Sequence, residues 1–550
     1  MFNAALKQPG SVMTLSKNIE CHVDPVILFR SLAQQSRGNN RILLESSEID
    51  SKQQLKSILM NRAALRIECF DQKVIIESLT SNGDNALDRL EALFETKVEH
   101  SARGRSQISL NYQPASSNIH FQQDEISRLK SETPIDSLRK INKAFLTQNN
   151  PSYAVFLCGL FAFDFIASFE ELPDVPIADN QCPDFVYYLA EELAIFDHQT
   201  SHINIYSNIF SGKDSEKQYY EQSRRMETLA EIIERSSREQ KLEQDENFSS
   251  GSLKSSVTCD ISDHEYEQTV ISLKQEIIAG NVFQVVPSRT FSMDCNDDLL
   301  SYQQLKRSNP SPYMFYMKDE DFTLFGASPE SALKYQQLNN KVELYPIAGT
   351  RIRGKFSDGQ IDDDLDKRFE AELKLDQKEI SEHMMLVDLA RNDIARISKN
   401  GTLQFPRLLE VDRYSQVMHL VSCVQGELRN DLDCFHAYQA CMNMGTLTGA
   451  PKIKATELIR NAEKKRRGSY GGAIGYINGD GDMDTCIVIR SAFCKEGKAH
   501  IQAGAGIVFD SIPRAEAEET KNKANAVIQA IIQANRNIQN NKHIQNRQVD

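Results

Sequence analysis

The chain contains no tryptophan, although it has 17 tyrosines and 26 phenylalanines among its 550 residues. It has no run of about 18 apolar residues, the length a membrane helix needs, and MFNAALKQPG lacks the charged, apolar and small-residue order of a secretory signal. Its 11 cysteines contain no C-x-x-C pair, a usage typical of a reducing compartment. We therefore predict a cytoplasmic location and no membrane partner.

The chain also has fewer basic than acidic residues. It has 63 basic and 77 acidic residues, a formal net charge of −14, from which we predict no nucleic-acid partner. Hydrophobic residues make up 40% and charged residues 25%, close to ordinary globular usage, so fibrous and wholly disordered classes are excluded.

Composition divides the chain into two parts. The segment 238–256 is polar and serine-rich, as linkers are, and 536–550 is a polar tail rich in asparagine and glutamine. We predict an N-terminal domain over 15–237 and a C-terminal domain over 257–535.

Strand-like and helix-like runs occur in separate blocks, which favours an α+β fold over a doubly wound sheet. Predicted strands are 73–76, 203–205, 472–477 and 486–493, the last two joined as a hairpin by NGDGD at 478–482. Predicted helices are 226–235, 266–279, 376–394 and 513–534.

Two of these helices carry paired acids. Glu379 and Glu382 are three residues apart and share one helix face, and Glu516 and Glu519 repeat this spacing. Oxygen ligands without a Cys/His cluster favour Mg²⁺, whereas the alternative is salt bridges. The lysines available for those salt bridges are Lys378, Lys521 and Lys523.

Anion-binding groups accompany the acids. The segment 349–354 (GTRIRG) combines glycines with two arginines, and Arg490 lies inside the predicted apolar strand 486–493. Gly504 and Gly506 allow a ligand to approach the backbone closely. Together these features predict a pocket for an anionic small molecule held partly by a divalent cation.

Long ordered segments of the C-terminal part resemble the large subunits of anthranilate synthases, within the chorismate-utilising enzymes. The segments are GNVFQVVPSR (280–289), ASPES (327–331), PIAGTRIRG (346–354), DQKEISEHMMLVDLARND (376–393), QVMHLVS (416–422), MGTLTGAPK (444–452), YGGAIGY (470–476) and QAGAGIVFDSIPRAEAEETKNKA (502–524). The resemblance implies antiparallel sheets in a layered sandwich with flanking helices, plus a smaller N-terminal regulatory domain.

The resemblance also implies roles for individual residues. It implies Glu382 and Glu519 as Mg²⁺ ligands, with Glu379 and Glu516 in the adjoining shell. Glu330 resembles the general acid that protonates the departing ring hydroxyl. The other implied active-site residues are His419, Thr446 and Gln284 for catalysis, and Gly349, Thr350, Tyr470, Arg490, Gly504, Ala505 and Gly506 for substrate.

The implied reaction has two steps: ammonia adds to chorismate as the ring hydroxyl leaves, and pyruvate is then eliminated to give anthranilate. Relatives that use water as nucleophile carry a lysine base where this chain has Gln284. The rival aminodeoxychorismate synthases of folate biosynthesis read P-I-K-G-T, whereas Ala348 here offers no nucleophile. A further alternative is a catalytically dead tryptophan-sensing subunit.

The segment 43–52 (LLESSEIDSK) and its partner 309–315 (NPSPYMF) resemble the site where tryptophan binds as feedback inhibitor. The implied contacts are Ser46, Pro312, Tyr313 and Met314, with Glu45, Lys56 and Phe315 beside them. The chain has no G-x-C-x-G nucleophile context. The resemblance therefore implies a separate glutamine amidotransferase subunit that supplies ammonia, in an assembly of two large and two small subunits.

Overall fold

The computed structural model describes residues 6, 8–35, 40–46, 56–113, 124–145, 152–242, 256–356, 358–414 and 417–547. Its helices begin where the sequence offers capping groups. Ser262 and Glu265 form a capping box at the start of one helix. At the start of another, the Asp376 side chain accepts hydrogen bonds from the backbone N–H groups of Lys378 and Glu379. The helices are α1 (Pro25–Gln35), α2 (Ser81–Phe94), α3 (Glu125–Leu129), α4 (Ile135–Ala144), α5 (Ser215–Leu242), α6 (Asp263–Ile278), α7 (Asp298–Ser308), α8 (Asp363–Leu375), α9 (Gln377–Ile397), α10 (Cys434–Cys441), α11 (Lys452–Glu463) and α12 (Pro513–Arg547).

The strand pairings within the described residues are antiparallel. The strands are β1 (Val12–Glu20), β2 (Arg41–Glu45), β3 (Lys56–Phe70), β4 (Lys73–Ser78), β5 (Glu99–His100), β6 (Ser106–Asn111), β7 (Phe156–Phe161), β8 (Phe185–Asp197), β9 (His202–Phe210), β10 (Thr258–Cys259), β11 (Gln284–Val285), β12 (Ser288–Asp294), β13 (Tyr313–Lys318), β14 (Thr323–Ser328), β15 (Ser331–Gln336), β16 (Lys341–Leu344), β17 (Ile347–Ile352), β18 (Gln404–Arg413), β19 (Val417–Glu427), β20 (Gly449–Ala450), β21 (Ala473–Asn478), β22 (Met483–Ile487), β23 (Ser491–Lys495) and β24 (Lys498–Gly504).

The strands pair edge to edge into one large antiparallel sheet that closes on itself, and β11 and β20 form a separate two-stranded sheet. Strand β8 is buried on both faces. Tyr188 belongs to one core cluster, together with Phe315 and Ile474, and Tyr187 belongs to a second cluster that includes residues of α9 and α10. Side chains alternate between the two faces of a strand, so a strand buried on both sides is nearly continuously apolar. The layered α+β architecture expected from the sequence is confirmed.

Strands from the two parts of the chain pair directly. In β2 and β13, Glu45 lies opposite Met314, and in β7 and β21, Gly159 lies opposite Gly475. The N-terminal strands therefore help to form the sheets that carry the C-terminal motifs. The division into a regulatory and a catalytic domain stays a prediction.

Most of the predicted elements lie where the sequence indicated. Strands 73–76, 203–205 and 472–477 fall in β4, β9 and β21, and β21 and β22 form the predicted hairpin. Helix α5 continues through 238–242 of the predicted linker, and 243–255 lie outside the described residues. Helix α12 extends through most of the predicted polar tail, as far as Arg547.

The prediction of one strand over 486–493 is wrong. Strand β22 ends at Ile487 and β23 begins at Ser491. Between them Arg490 adopts φ +49°, a left-handed conformation that breaks a strand. The apolar residues 486–489 favoured a continuous strand, so the sequence did not indicate this break.

Candidate active site

Helices α9 and α12 carry the acidic side chains of the predicted metal site. Glu379 and Glu382 lie near the start of α9, and Glu516 and Glu519 near the start of α12. Burial raises the pKa of Glu382, and the negative charges of Glu379 and Glu519 raise it further. Carboxylates affect each other in this way only at short range, so the structure brings acids of both helices together.

Two of the four acids have cationic partners. Arg351 Nη1 lies 3.1 Å from Glu379 Oε1, and Lys523 Nζ lies 2.6 Å from Glu519 Oε1. Within the described parts of the chain, Glu382 and Glu516 form no ion pair. The salt-bridge alternative therefore accounts for only part of the cluster.

A divalent cation fits this donor set. No group of three or more acids, histidines or cysteines is already gathered for a metal among the residues that the structure describes. Glu382, however, is half-buried and lies near two like charges, and the charges of Lys523 and Lys378 offset their effect on its pKa only in part. Such an arrangement costs free energy that a cation would relieve. Its oxygen donors suit Mg²⁺.

His419 and the irregular part of β17 at Gly349 and Thr350 form the next part of the site. The register of β17 and β19 places Thr350 opposite His419. His419 Nδ1 lies 3.1 Å from the Gly349 carbonyl oxygen and 3.0 Å from Thr350 Oγ1. Because a carbonyl only accepts, Nδ1 carries the hydrogen and Nε2 of the neutral ring is left as an acceptor. Burial lowers the pKa of His419 to about 4, so the ring is neutral near pH 7.

Gly349 connects this histidine with the acids of α9. Its φ is +71°, and a Cβ there would lie 3.2 Å from Glu379 Oε2. The position favours glycine for both reasons, conformation and space.

Glu330 occupies the short connection between β14 and β15 and is 7% exposed. Burial raises its pKa to about 8, an effect that Thr446 and Lys523 partly offset. Thr446 therefore lies within reach of the carboxyl, although its buried hydroxyl makes no hydrogen bond of good geometry with a described residue. A carboxyl in this environment holds its proton at neutral pH and can act as an acid.

Arg490 is a cation of the site that has no counter-ion among the residues that the structure describes. Desolvation lowers its pKa, whereas Tyr470 and Glu519 act in the opposite direction. It forms no ion pair with any residue in the described ranges. A desolvated guanidinium without a partner is unfavourable, so an anionic ligand would stabilise it.

Tight packing surrounds the segment 504–506. A Cβ on Gly504 would lie 3.1 Å from Tyr470 Oη, and burial raises the pKa of Tyr470 to about 12. A Cβ on Gly506 would lie 2.6 Å from Gln284 Nε2 and 3.8 Å from Glu382 Oε1. Gln284, Gly506 and the proposed metal site are therefore neighbours. Ala505, between the two glycines, is fully buried and donates its N–H to the Pro287 carbonyl at 3.2 Å.

The chain matches a family model described as chorismate binding enzyme over residues 92–529. It is 50% identical over 529 residues to anthranilate synthase component 1 from Vibrio cholerae, and the match covers 96% of this chain and 98% of that protein. The chain belongs to the chorismate-binding enzyme family.

Other proteins similar to this chain support the same family. Anthranilate synthase component 1 from Escherichia coli is 48% identical, with 93% of this chain and 95% of that protein covered. The crystal structure of anthranilate synthase component I from Streptococcus pneumoniae superposes with a TM-score of 0.63 at 27% identity, covering 93% of this chain and 100% of that chain. The structure of the menaquinone-specific isochorismate synthase from Escherichia coli shares the fold. It superposes with a TM-score of 0.59 at 16% identity, covering 96% of this chain and 97% of that chain.

The two segments of the predicted effector site meet in this family member. Register places Glu45 opposite Met314 and Leu44 opposite Phe315, and the Ser46 N–H donates to the Lys56 carbonyl at 3.3 Å. Pro312 and Tyr313 lie at the start of β13, and 47–52 of the first segment lie outside the described residues. Their role in binding tryptophan stays a prediction.

Lys523 is the residue whose place in the site the sequence did not reveal. Its ammonium donates to the Gly504 carbonyl at 3.0 Å and pairs with Glu519, and its charge lowers the pKa of Glu330, Glu382 and Glu516. Its spacing four residues after Glu519 indicated only a surface ion pair. Separately, none of the described helices has the length and apolar character to cross a membrane.

Proposed function

We propose that the chain is the large subunit of a Mg²⁺-dependent anthranilate synthase, a carbon–oxygen lyase that converts chorismate and ammonia to anthranilate and pyruvate. One observation carries the proposal: a protonated acid, a neutral histidine, clustered carboxylates and an arginine without an ion pair among the described residues lie in one site. This site belongs to a chorismate-binding enzyme that resembles component 1 of anthranilate synthase along nearly its whole length. The reaction would be the first committed step of tryptophan biosynthesis.

Chorismate would bind through its two carboxylates. Arg490, Tyr470 and the backbone of 504–506 would hold the enolpyruvyl carboxylate, and Gly349 with Thr350 would line the ring. Glu382 and Glu519 would hold Mg²⁺, with Glu379 and Glu516 beside them. When bound, the ion would neutralise and orient the ring carboxylate.

In the first step Glu330 would donate its proton to the ring hydroxyl. The C–O bond breaks, water leaves, and ammonia forms the new C–N bond, which gives aminodeoxyisochorismate. The buried position of Glu330 supports this role because it keeps the carboxyl protonated. Gln284 supplies no base, and ammonia, already a nucleophile, requires none.

In the second step pyruvate is lost and the ring becomes aromatic. His419 is neutral, with Nδ1–H directed to the Gly349 carbonyl, so Nε2 is free to accept a proton. The hydrogen bond to Gly349 also fixes the imidazole ring, and Thr446 would act through Glu330.

A separate glutamine amidotransferase subunit would supply ammonia in the cytoplasm, in an assembly of two large and two small subunits. Tryptophan would inhibit the enzyme by binding at the junction of β2 and β13. The support is the pairing of the two predicted effector segments in one sheet.

The test is synthesis in vitro. Purified chain given chorismate, Mg²⁺ and ammonium salt is expected to produce the fluorescence of anthranilate. Formation of 4-amino-4-deoxychorismate would instead identify the folate enzyme, which Ala348 argues against. No product at all would leave the tryptophan-sensing alternative.

A further inference from the structure

A cavity of about 470 Å³ lies beside α9. Leu389, Asp393 and Arg396 of that helix contribute to its wall. Ile453, another wall residue, is 41% exposed, which shows that the cavity opens to solvent. We call it the outer cavity.

A second, smaller cavity of about 30 Å³ touches Glu330 and Thr446, and we call it the inner cavity. A water molecule needs about 10–15 Å³ of such volume and two to four polar partners. The Glu330 carboxyl and the Thr446 hydroxyl provide two such polar partners. The Thr446 hydroxyl is buried without a well-formed hydrogen bond to a described residue. The inner cavity therefore has the size and chemistry to hold one water.

Leu389, Asp393 and Lys452 line both cavities, so the two meet at these side chains. Lys452 Nζ lies 2.5 Å from Asp393 Oδ2, and the two side chains are only 10% and 9% exposed. Lys452 also donates to the Cys441 carbonyl at 2.5 Å. A charged pair at the junction offers donors and acceptors to a passing water, whereas a purely apolar junction would exclude it.

The route is separate from the proposed substrate ligands. Arg490, Tyr470 and Gly504, which lie in described parts of the chain, line neither cavity. Chorismate bound to these ligands would thus reach Glu330 from their side and leave the inner cavity accessible from the outer one.

The proposed chemistry requires a route by which water leaves Glu330 and a proton returns to it. When Glu330 gives its proton to the ring hydroxyl, the C–O bond breaks and one water forms. Glu330 remains as a carboxylate in a desolvated position, and it has to regain one proton before the next turnover. The ammonium formed on the ring releases one proton to solvent, so the proton balance closes.

We infer that the inner and outer cavities, joined at Lys452 and Asp393, carry the released water away from Glu330 and return a proton to it. This inference rests on the proposed function of Glu330 as general acid. It assigns Ala390, which lines the inner cavity, as a position that has to stay small.

The test is Ala390→Leu, which fills the inner cavity, with Ala395→Leu on the exposed face of the same helix as the matched control. Ala390→Leu is expected to lower kcat by about tenfold or more while the KM for chorismate stays within about twofold, because the acid step and not substrate binding is impaired. The solvent deuterium isotope effect on kcat is expected to increase, since proton return becomes limiting. Ala395→Leu is expected to change none of these quantities.

Two results would overturn the inference: a folded Ala390→Leu with wild-type kcat, or a higher KM at unchanged kcat. Thermal unfolding checks folding, and Ala390→Val provides a smaller filling if the leucine variant unfolds. Failure of the proposed function is distinguishable, because the wild-type chain itself would then produce no anthranilate.

Discussion

At the scale of single residues, burial rather than residue type sets the protonation states of the site. It raises the pKa of Glu330 to about 8 and lowers that of His419 to about 4. At neutral pH the Glu330 carboxyl therefore holds a proton, the reverse of an exposed carboxyl, and the His419 imidazole stays neutral even in mildly acidic solution, where an exposed ring would be charged. Such a site suits the proposed mechanism, in which Glu330 donates a proton in the first step and His419 accepts one in the second.

The proposed role of Glu330 as general acid predicts a pH dependence of the activity. The carboxyl is protonated below its pKa of about 8 and loses its proton above it. We expect kcat/KM for chorismate to fall by about tenfold per pH unit on the alkaline side of this value. Glu330→Gln is expected to remove this alkaline limb and to lower activity by about 10²–10⁴. An unchanged alkaline limb in Glu330→Gln would exclude Glu330 as its source.

The proposed role of Glu382 as a metal ligand gives a second prediction. Glu382→Gln removes one anionic ligand, and we expect it to abolish Mg²⁺-dependent turnover. It also removes repulsion with Glu379 and Glu519, so the metal-free variant should be at least as stable as the wild type. Thermal unfolding in chelator and after Mg²⁺ addition measures this, because an ion that binds only the folded state raises the Tm.

The control for this variant is Asp388→Asn, an exposed acid of the same helix that pairs with Arg391. It is expected to keep both the activity and the Mg²⁺-induced rise in Tm. Unchanged turnover in Glu382→Gln would remove Glu382 from the metal site.

At the scale of elements, α9 is attached to the sheet directly beside its acids. His383, the neighbour of Glu382, is fully buried, and its Nε2 lies 2.7 Å from Ser422 Oγ on β19. Ser422 Oγ also accepts the Leu409 N–H of β18 at 3.0 Å. One hydroxyl thus joins the helix of the proposed metal site to the strand that carries His419.

Ser422→Ala tests this attachment. It leaves the His383 ring nitrogen and the Leu409 N–H without their partner in a buried position, at a cost of about 1–3 kcal/mol in the free energy of unfolding. Ser381→Ala, at an exposed serine of α9, is expected to change that free energy by no more than about 0.5 kcal/mol. Denaturant unfolding compares the two, and equal values would show that the attachment contributes no stability.

At the scale of the whole molecule, sheet pairing joins segments that are far apart in the sequence. Glu45 on β2 accepts hydrogen bonds from Tyr302 Oη and Lys306 Nζ on α7, each at 2.6 Å. Burial raises the pKa of Glu45. The N-terminal part thereby contacts both α7 and β13, which lie in the C-terminal part with the active site.

This junction is where we expect tryptophan to act. Ser46→Phe places a large side chain at the end of β2, beside β13, and is expected to relieve tryptophan inhibition while turnover is retained. Ser16→Phe, an exposed serine of β1, is the control and should leave inhibition unchanged. Because the chain has no tryptophan, the emission of the bound effector reports binding directly. Full inhibition of Ser46→Phe would place the effector elsewhere.

The sequence by itself determined the architecture class, the principal helices and the residues from which the site is built. Helical spacing of three placed Glu379 with Glu382 and Glu516 with Glu519 on common faces, because this periodicity is local. Long ordered motifs indicated the family, which the comparisons confirmed.

Only the tertiary structure decided which helices face each other, which acids keep a counter-cation and which groups are desolvated. Lys523 and Glu330 acquire their roles from neighbours distant in the chain, and Arg490 breaks a strand that its apolar surroundings favoured. These outcomes depend on burial and long-range packing, which set pKa values and backbone conformation but leave no local pattern in the sequence.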